Sequence, residues 1–568
     1  MNNAHLNRRQ WLATAAASGT AAALTSNFAS PALAAAPATS SVGGNAGGSV
    51  GDMLLLAIDD VSLPYRKDVA LYLSTPKVRP EPVLTPSPLG SGAPDDLAAH
   101  FYGTVLHDGG KYRMWYYACH WGKNPDWSPR LMRQVAKSPG WFRGECPLFQ
   151  GPLCYAESDD GIAWTKPALG QLLFKGSREN NALSLPHAIV SGAIVIKDDA
   201  DPDPARRYKM TYQFFPDQSV PPIEEYGTKT SVALAVSPDG LAWTMIGMPF
   251  LNQFVEPSSF IKHAGQYVIH YHTAQDWGYL SEGGSLCGRT GVARVSADFA
   301  EWPDMLAEAF ALAEPEDRSL RGANGPYDQV HLGVGAASFG NVCVGLYGLW
   351  HNAANDKAFD QISCDFGLLV SNDGVHFREP VKGHRFIKRE DSLATPVPGY
   401  EFHTILCQSN GILNVGDETL IYHGRWRNVG GNELDETLKY YSAEVALATL
   451  PRDRWGGFST NPGVNEGLVC STAVALPTAG CQILLNADAA RAMRVELLDE
   501  GFGPLADFSG DNSGTLDVDG GLDCVVNWPA TELASLKGKK VRVRVWLKNA
   551  EQDPPRLYAM SLRGTETV

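Results

Sequence analysis

One pattern, Ser-x-Asp-Gly-x-x-Trp, recurs along this chain of 568 residues. Complete copies span residues 158–164 and 237–243, a third at 371–377 ends in Phe, and a degenerate copy spans 296–302. The Asp-Gly step tolerates the backbone of a tight hairpin turn, and the Ser and Asp side chains can accept hydrogen bonds from turn amides. Because each copy follows an apolar, strand-like run, the pattern predicts a hairpin that recurs at intervals of 59 to 79 residues.

Repeats of this length, with further strand patterns upstream of each turn, predict four-stranded sheets arranged as the blades of a propeller. The blades are predicted at 98–172, 180–250, 252–306, 325–382 and 398–459. We expect residues 52–75 to contribute a strand that closes the ring. After residue 460, short alternating strands separated by Gly-rich turns predict a sandwich. The expected fold class is all-β, a five-bladed β-propeller followed by a C-terminal β-sandwich.

The first 34 residues have the pattern of an export signal. The segment 7–12, Asn-Arg-Arg-Gln-Trp-Leu, resembles the twin-arginine motif, and Ala-Leu-Ala at 32–34 fits a cleavage site. A Gly-, Ala- and Ser-rich linker at 35–51 then leads to the propeller at 52–459 and the sandwich at 460–568. We therefore expect a twin-arginine signal peptide on residues 1–34 and a periplasmic or secreted mature protein. No other stretch reaches the length of a membrane span.

The net charge of −15 disfavours a nucleic-acid partner, because proteins of that class present a basic face to phosphates. The ten cysteines include no Cys-x-x-Cys pair, so the sequence does not indicate a thiolate zinc site. An acidic stretch at 198–203 could hold calcium or another divalent metal, and no cofactor is certain. The sequence leaves the metal content, the disulfide pairing and the oligomeric state open.

Propellers place ligands in the central funnel, where the innermost strands begin, so polar residues at those starts are candidate site residues. Carboxylates stand near the starts of four blades: Asp96, Glu256, Asp328 and Glu401. Hydrolysis of a glycosidic bond needs one acid for the leaving oxygen and one base or nucleophile, which two such carboxylates can supply. The candidates for substrate binding are His100, His187, His331, His403, Gln408 and, as a ring for sugar stacking, Trp350.

The blade edge at 155–167, Tyr-Ala-Glu-Ser-Asp-Asp-Gly-Ile-Ala-Trp-Thr-Lys-Pro, and the five-blade arrangement resemble the propeller glycosidases of glycoside hydrolase families 32 and 43. The chain is still more similar to uncharacterised bacterial glycosidase-like proteins that carry this edge and a C-terminal sandwich. The resemblance implies a carbohydrate substrate. It also implies that Glu256 is the general acid, because Glu256, Lys262, Gly265 and Tyr267 keep the spacing of the blade-three pattern in family 43.

The sequence departs from those families in its other carboxylates. The blade-one aspartate position falls near Phe101, where no carboxylate stands, and blade two lacks an aspartate at the matching position. The partner of Glu256 is therefore left open among Asp96, Asp328 and Glu401. The four histidines at 100, 187, 331 and 403 leave a further chemistry open. With a carboxylate they could hold a metal, or one could act as the base of a polysaccharide lyase.

Together these features favour an exported glycoside hydrolase that acts on a poly- or oligosaccharide in the propeller funnel, with Glu256 as general acid. Two alternatives stay open, namely a lyase or metal-assisted enzyme that uses the histidines, and a non-catalytic carbohydrate-binding propeller. The sequence gives neither the sugar and linkage nor the distance between two catalytic carboxylates that decides between inversion and retention.

Overall fold

The computed structural model describes residues 52–127, 142–143, 146–214, 231–250, 255–274, 289–312, 329–351, 362–429, 436–477, 481–529, 531–549 and 554–564. Regular structure in these ranges is β-strand, and helix is limited to short 3-10 turns. Those turns are Pro204–Arg206, Glu436–Tyr440, Ala490–Ala492, Ala506–Phe508, Gly510–Asn512 and Leu533–Leu536. None of the described helices is long and apolar enough to cross a membrane. The predicted all-β fold is confirmed.

The described chain begins with four short strands, which are β1 (Met53–Leu56), β2 (Tyr65–Lys67), β3 (Val69–Leu73) and β4 (Lys77–Val78). Five units of antiparallel strands follow, which we number as blades one to five in chain order, and one parallel pair, Cys364 with Ile405, joins blades four and five into a single sheet. Blade one consists of β5 (Ala98–Asp108), β6 (Lys111–Cys119) and β9 (Leu153–Ser158), with a small hairpin of β7 (Phe142–Arg143) and β8 (Cys146–Pro147) between the last two. Blade two consists of β10 (Val190–Lys197), β11 (Tyr208–Phe214), β12 (Ser231–Ser237) and β13 (Thr244–Phe250).

The remaining blades repeat the same up-and-down pattern. Blade three consists of β14 (Glu256–His263), β15 (Gln266–Ala274), β16 (Arg289–Ser296) and β17 (Ala307–Phe310). Blade four consists of β18 (Gln329–Ser338), β19 (Cys343–His351), β20 (Ser363–Ser371) and β21 (Arg385–Ile387). Blade five consists of β22 (Ile405–Cys407), β23 (Ile412–Val415), β24 (Glu418–Arg427) and β25 (Ser442–Pro451), and β4 pairs along the edge of β25.

The inner strands of successive blades touch one another and close into a ring. Between blades one and two, the Thr104 hydroxyl accepts a hydrogen bond from the Val195 amide at 2.8 Å. Gly192 packs against Pro257 between blades two and three, and the Ser258 hydroxyl donates to the Val334 carbonyl at 2.9 Å between blades three and four. Gln408 Nε2 donates to the Gly333 carbonyl at 2.9 Å between blades five and four. The Val105 amide donates to the Asn410 carbonyl at 3.0 Å between blades one and five. Because the last contact joins blade five to blade one, the units form a propeller.

The two ends of this ring differ in the length of their connections. At one end, two residues join the first and second strands of blades one and three, at 109–110 and 264–265. At the other end, residues 215–230 connect the second and third strands of blade two, and residues 275–288 do so in blade three. Long connections on a rigid scaffold are where binding residues concentrate. We call this second end, where the innermost strands begin, the entrance face.

The Ser-x-Asp-Gly turns lie at the end of the ring opposite the entrance face. In the first turn, the Ser158 hydroxyl accepts from the Gly161 amide at 2.9 Å, and Asp160 accepts from the next two amides at 2.8 and 2.7 Å. The turns at 237–243 and 371–377 repeat these bonds. The glycine carbonyl of each turn contacts a side chain of the preceding blade at 2.8 Å, pairing Gly161 with Tyr422, Gly240 with Trp115 and Gly374 with His270. The repeat therefore joins neighbouring blades.

Replacing Gly161 by Ala is expected to destabilise the propeller. Gly161 has φ +74°, and an added Cβ would lie 2.5 Å from the Tyr422 hydroxyl and 3.1 Å from the Tyr112 ring. The backbone strain costs about 1–2 kcal/mol, and the overlap adds about 1–3 kcal/mol to the loss in free energy of unfolding. Gly170→Ala is the control, because Gly170 has φ +69° but nothing within 4 Å of the added Cβ. Equal losses in chemical denaturation would contradict a packing role for the turn.

The sandwich consists of two sheets that enclose one apolar core. Its strands are β26 (Gly456–Thr460), β27 (Glu466–Cys470), β28 (Val474–Ala475), β29 (Cys481–Asp488), β30 (Met493–Leu498), β31 (Gly520–Val525), β32 (Lys540–Lys548) and β33 (Arg556–Gly564). One sheet has the order β3-β26-β33-β29-β31 and the other β2-β27-β32-β28, with β30 also paired to β32. Phe458 and Ile483 from the first sheet meet Val495 and Val543 from the second in the core. The predicted C-terminal sandwich is therefore present.

The expectation that residues 52–75 close the propeller is wrong. Strand β1 pairs with β33, β2 with β27 and β3 with β26, so all three belong to the sandwich. Blade five needs no strand from this segment, because β4 completes its edge and its inner strands contact blade one directly. Burial explains why β1 pairs within the sandwich, since Leu55 of β1 is fully buried in the sandwich core. The predicted signal peptide and linker, residues 1–51, lie outside the described residues.

Candidate active site

Irregularities in the inner strands shape the centre of the entrance face. Four of these strands shift register near their beginnings, and blade five is interrupted between β22 and β23. The shifts fall between His100 and Thr104, Ser191 and Ile194, Pro257 and Ser259, and His331 and Val334. A bulge bends its strand and redirects the side chains beside it. The sequence candidates at strand starts therefore stand next to the points where the strands turn.

Glu256 is the carboxylate that the structure places at this centre. It lies opposite His272 in the register of β14 and β15, and its Oε2 is 2.8 Å from His272 Nε2. The His272 side chain is fully buried, whereas the Glu256 side chain is 14% exposed. Burial raises the pKa of Tyr102, Tyr117 and Cys407, and the charge of Glu256 adds to each rise. These three groups therefore surround the carboxylate within electrostatic range.

Rings from blades one and five pack around His100. Its imidazole stacks on Tyr117 with 4.7 Å between centroids and meets the Trp426 ring edge-on at 4.6 Å. His100 Nε2 lies 2.7 Å from the Tyr441 hydroxyl. Burial holds the pKa of His100 well below its ordinary value, so this imidazole is neutral at physiological pH. A neutral imidazole can accept a proton, and it carries no charge that would repel a cationic transition state.

A second histidine lies on the blade-four side of the same cage. His331 Nε2 is 3.2 Å from the Tyr102 hydroxyl, and its ring meets Trp350 edge-on at 4.2 Å. Gln408 Nε2 donates to the backbone carbonyls of His331 and Gly333. The predicted residues His100, His331, Trp350 and Gln408 thus belong to connected contacts around the centre, and Glu256 lies within electrostatic range of Tyr102 and Tyr117.

Several buried polar atoms of this cage have no hydrogen-bond partner within the described part of the chain. They are the Tyr117 hydroxyl, His100 Nδ1, Gln408 Oε1 and Trp426 Nε1. Native proteins pair nearly all of their buried polar groups, with protein, water or ligand. Donors and acceptors arranged between aromatic rings are the usual lining of a small-molecule site. The centre of the entrance face is therefore the candidate site.

Two bulky residues beside the cage adopt backbone angles that are costly for them. Phe149 has φ 61° and Leu332 has φ 57°, both in the left-handed region. Phe149 meets Tyr441 edge-on at 5.9 Å, and Leu332 packs in the apolar cluster that contains Tyr102 and Trp426. Such strain costs of order 1–3 kcal/mol and concentrates at ligand sites.

Three other predicted residues lie elsewhere among the described positions. His187 stacks on Phe214 with 3.8 Å between centroids and bonds the Tyr212 hydroxyl at 3.0 Å, so its contacts are within blade two. Glu401 and His403 are exposed on the segment that precedes β22. Neither side chain makes a contact with Glu256.

Asp96 is held by hydrogen bonds and an ion pair near the start of blade one. Its buried carboxylate accepts from the Gly92 amide at 3.0 Å and the Trp121 amide at 2.7 Å, and Lys175 Nζ lies 3.7 Å away. These contacts stabilise the entry to blade one and do not favour Asp96 as the partner of Glu256. Asp328, the remaining candidate, lies outside the described residues.

The acidic stretch at 198–203 is neutralised by lysines. Asp198 pairs with Lys262 at 2.9 Å and Lys209 at 3.2 Å, and Tyr267 donates to it at 2.5 Å. Two residues of the blade-three pattern, Lys262 and Tyr267, therefore join blade three to blade two. Within the described ranges, no group of three or more His, Cys, Asp or Glu residues is arranged to hold a metal ion. The nine described cysteines are buried and form no disulfide, and Cys287 lies outside those ranges.

The sequence analysis did not identify four residues of the cage. They are Tyr102, Tyr117, His272 and Tyr441. Two signals could have found some of them. Tyr117 lies near the end of a Tyr-rich strand whose alternate residues share a face, and His272 lies on the second strand of blade three directly opposite Glu256.

Stability should fall as the pH drops below about 6.5. Burial lowers the pKa of His187 and His270 to about 4 and that of His120 and His423 to about 3. The unfolded chain binds protons on these groups below about pH 6.5, whereas the folded chain does not until the pH reaches the lowered values. Stability is therefore full above that pH, and each group costs about 1.4 kcal/mol per unit below it. Urea midpoints between about pH 7.5 and 5 test this, and a constant midpoint would contradict it.

No protein-family model matches the chain, and no curated protein matches it either. Among solved structures, it is similar to the β-1,2-mannobiose phosphorylase of Listeria innocua, with 14% identity, TM-score 0.38, and coverage of 68% of this chain and 97% of that one. The family 43 arabinoxylan arabinofuranohydrolase of Bacillus subtilis matches with 11% identity, TM-score 0.34, and coverage of 85% and 99%. A family 32 β-fructofuranosidase of Bombyx mori matches with 12% identity, TM-score 0.31, and coverage of 86% and 95%.

Proposed function

We propose that this chain is a glycoside hydrolase that binds a carbohydrate at the centre of the entrance face, with Glu256 as general acid. One observation carries the proposal. Glu256 is a partly exposed carboxylate that borders a cage of aromatic rings and buried polar atoms without partners in the described chain. A sugar presents both an apolar face and many hydroxyls, which suits rings interleaved with donors and acceptors.

The contacts of Glu256 suit proton transfer. Oε2 is held by His272 Nε2 at 2.8 Å, and within the described residues Oε1 makes no hydrogen bond. One oxygen is thus fixed while the other can reach a glycosidic oxygen, and a general acid must come within hydrogen-bond distance of its acceptor.

Hydrolysis also needs a group that activates water or attacks the sugar. Tyr117 is unsuited to attack as a phenolate, because burial raises its pKa well above the ordinary value. Candidates for this role are the neutral imidazole of His100 and Asp328, which lies outside the described residues. An imidazole base that activates water would invert the anomeric configuration, whereas a carboxylate nucleophile would retain it.

A polysaccharide lyase is the second candidate, and the paired histidines and tyrosines favour it. His100 contacts Tyr441 at 2.7 Å, and His331 contacts Tyr102 at 3.2 Å. A neutral imidazole and a phenol can serve as the base and acid that β-elimination requires.

Product analysis in heavy-oxygen water separates the candidates. The probes are soluble arabinoxylan, levan, mannan, pectic galactan and polygalacturonate. Hydrolysis yields new reducing ends and places one solvent oxygen in each product pair. Elimination yields unsaturated products that absorb in the near ultraviolet and carry no solvent oxygen. Binding without cleavage of any of them would overturn the enzyme proposal in favour of a carbohydrate-binding propeller.

We also propose that the protein is exported folded to the periplasm or beyond. The twin arginines Arg8 and Arg9 and the Ala-Leu-Ala site at 32–34 support this. Pre-folded export suits a propeller, whose non-local strand pairing folds slowly.

A further inference from the structure

Three aromatic side chains form a small surface on blade five, which we call the aromatic platform. The rings of Tyr400 and Phe402 are nearly parallel, with 5.7 Å between centroids and 5° between planes. Tyr440 joins them, with its centroid 4.6 Å from Tyr400 and 6.2 Å from Phe402. The three rings therefore make one continuous apolar patch contributed by two separate segments.

The platform is held in place from both sides. Tyr400 closes a tight turn in which its amide donates to the Val397 carbonyl at 3.1 Å, and Gly399 takes φ +82° as such a turn requires. On the other segment, Arg427 Nε donates to the Tyr440 carbonyl at 3.1 Å. A surface fixed before binding loses little entropy when a ligand docks.

The platform is exposed and has a polar rim. Tyr400 is 42% exposed, which is unusual for a large ring packed against two others. The exposed side chain of Lys439 borders it, with Nζ 5.1 Å from the Tyr440 centroid. Rings bordered by an ammonium group can meet both the apolar face and the hydroxyls of a sugar.

The platform lies beside the candidate active site along the chain. Tyr440 is followed directly by Tyr441, whose hydroxyl lies 2.7 Å from His100 Nε2 inside the cage. Consecutive Cα atoms are about 3.8 Å apart. Phe402 lies three residues before β22, which begins at the entrance face. Both segments of the platform therefore lead into strands that begin at the entrance face, which places the platform on the blade-five side of that face.

We propose that the aromatic platform binds a distal sugar ring of a polysaccharide whose reacting unit occupies the cage. This rests on the proposed function, and it assigns the substrate to polymers or long oligomers. A protein partner fits less well. Three rings bury at most about 150–250 Å² each, below the roughly 800 Å² per partner of a stable protein interface.

The test is affinity electrophoresis of full-length protein carrying Glu256→Gln, which separates binding from cleavage. Gels contain arabinoxylan, levan, mannan, pectic galactan or polygalacturonate. We expect at least one polymer to retard the parent, and Tyr400→Ala to weaken that apparent affinity about tenfold through lost stacking. Tyr72→Ala is the matched control, because Tyr72 is a 53% exposed tyrosine on the sandwich. Tyr400→Ala and Tyr72→Ala are also compared in protein that retains Glu256.

The outcomes separate this inference from the proposed function. If Tyr400→Ala and Tyr72→Ala bind alike, or if no polymer retards the parent, the proposal that the platform binds sugar is overturned. If wild type cleaves none of the polymers but binds one in a Tyr400-dependent way, the platform stands and the hydrolase proposal fails. A normal urea midpoint for Tyr400→Ala shows that any lost binding is not lost folding.

Discussion

Replacing Glu256 by Gln should lower the cleavage rate by about 10²- to 10⁴-fold, the range that a positioned proton donor contributes. Gln keeps the size of the side chain and an oxygen that can still accept from His272 Nε2, which lies 2.8 Å from Oε2. It cannot deliver a carboxyl proton to the leaving oxygen. We therefore expect kcat to fall while KM for the same polysaccharide changes little, because binding depends on the rings and polar atoms of the cage.

Glu401→Gln is the matched control for this experiment. It makes the same chemical change on another glutamate that the sequence analysis proposed as catalytic, but on an exposed residue without contact to Glu256. Initial rates on the best polysaccharide and urea midpoints are measured for both variants. A Glu256→Gln enzyme that keeps its rate within about tenfold of wild type would exclude the general-acid role. A similar loss in Glu401→Gln would make Glu401 the better candidate.

The propeller was predictable because its signal is local. The turn residues of each repeat bond amides within the same seven residues, so the pattern fixes a hairpin wherever it occurs. The N-terminal strands carry no such signal. Strand β1 pairs with β33 about 500 residues away, and no pattern in four apolar residues specifies that partner.

The candidate site was predictable in part for the same reason. Residues at strand starts, such as His100 and Glu256, follow from blade boundaries alone. The cage also depends on which rings from different blades meet. Tyr441 reaches His100 from blade five, and this contact follows only from the three-dimensional closure of the ring. Lys262 matches the family 43 pattern in sequence, but in the structure it pairs with Asp198 and joins blade three to blade two. The match alone therefore did not indicate a role at the site.

That bond between blades carries the largest expected effect on stability. Asp198→Ala should lower the free energy of unfolding by about 3–5 kcal/mol, as the loss of one partner from a buried ion pair does. The Asp198 and Lys209 side chains are both fully buried, and the Lys262 side chain is 13% exposed. Alanine would leave Lys262 without its bond at 2.9 Å and Tyr267 without its acceptor at 2.5 Å. Lys209 would keep Asp201 at 2.8 Å, which places the loss at the lower end of the range.

The pH dependence of this effect has a definite sign. The hydrogen bonds of Tyr267 and Lys262 and the charge of Lys209 outweigh burial and lower the pKa of Asp198. Because the pKa is lowered in the folded state, the bond stabilises the protein fully above the unfolded value of about 3.9. This stabilisation is lost progressively as the pH falls from that value through the lowered pKa of the folded state. The difference between wild type and Asp198→Ala should therefore be constant near neutrality and shrink in acid.

Asp199→Ala is the control, because it removes the adjacent carboxylate from the surface. The Asp199 side chain is 45% exposed and pairs with Lys197 at 3.2 Å, so its loss should cost less than about 1 kcal/mol. Urea denaturation of the three proteins measures the difference. The same experiment with added calcium tests the metal interpretation of this acidic stretch. Calcium that stabilises wild type but not Asp198→Ala would mean that Asp198 binds the metal and that lysine pairing is not its main role. If instead calcium has no effect and Asp198→Ala is destabilised, the two lysines and Tyr267 account for the buried carboxylate.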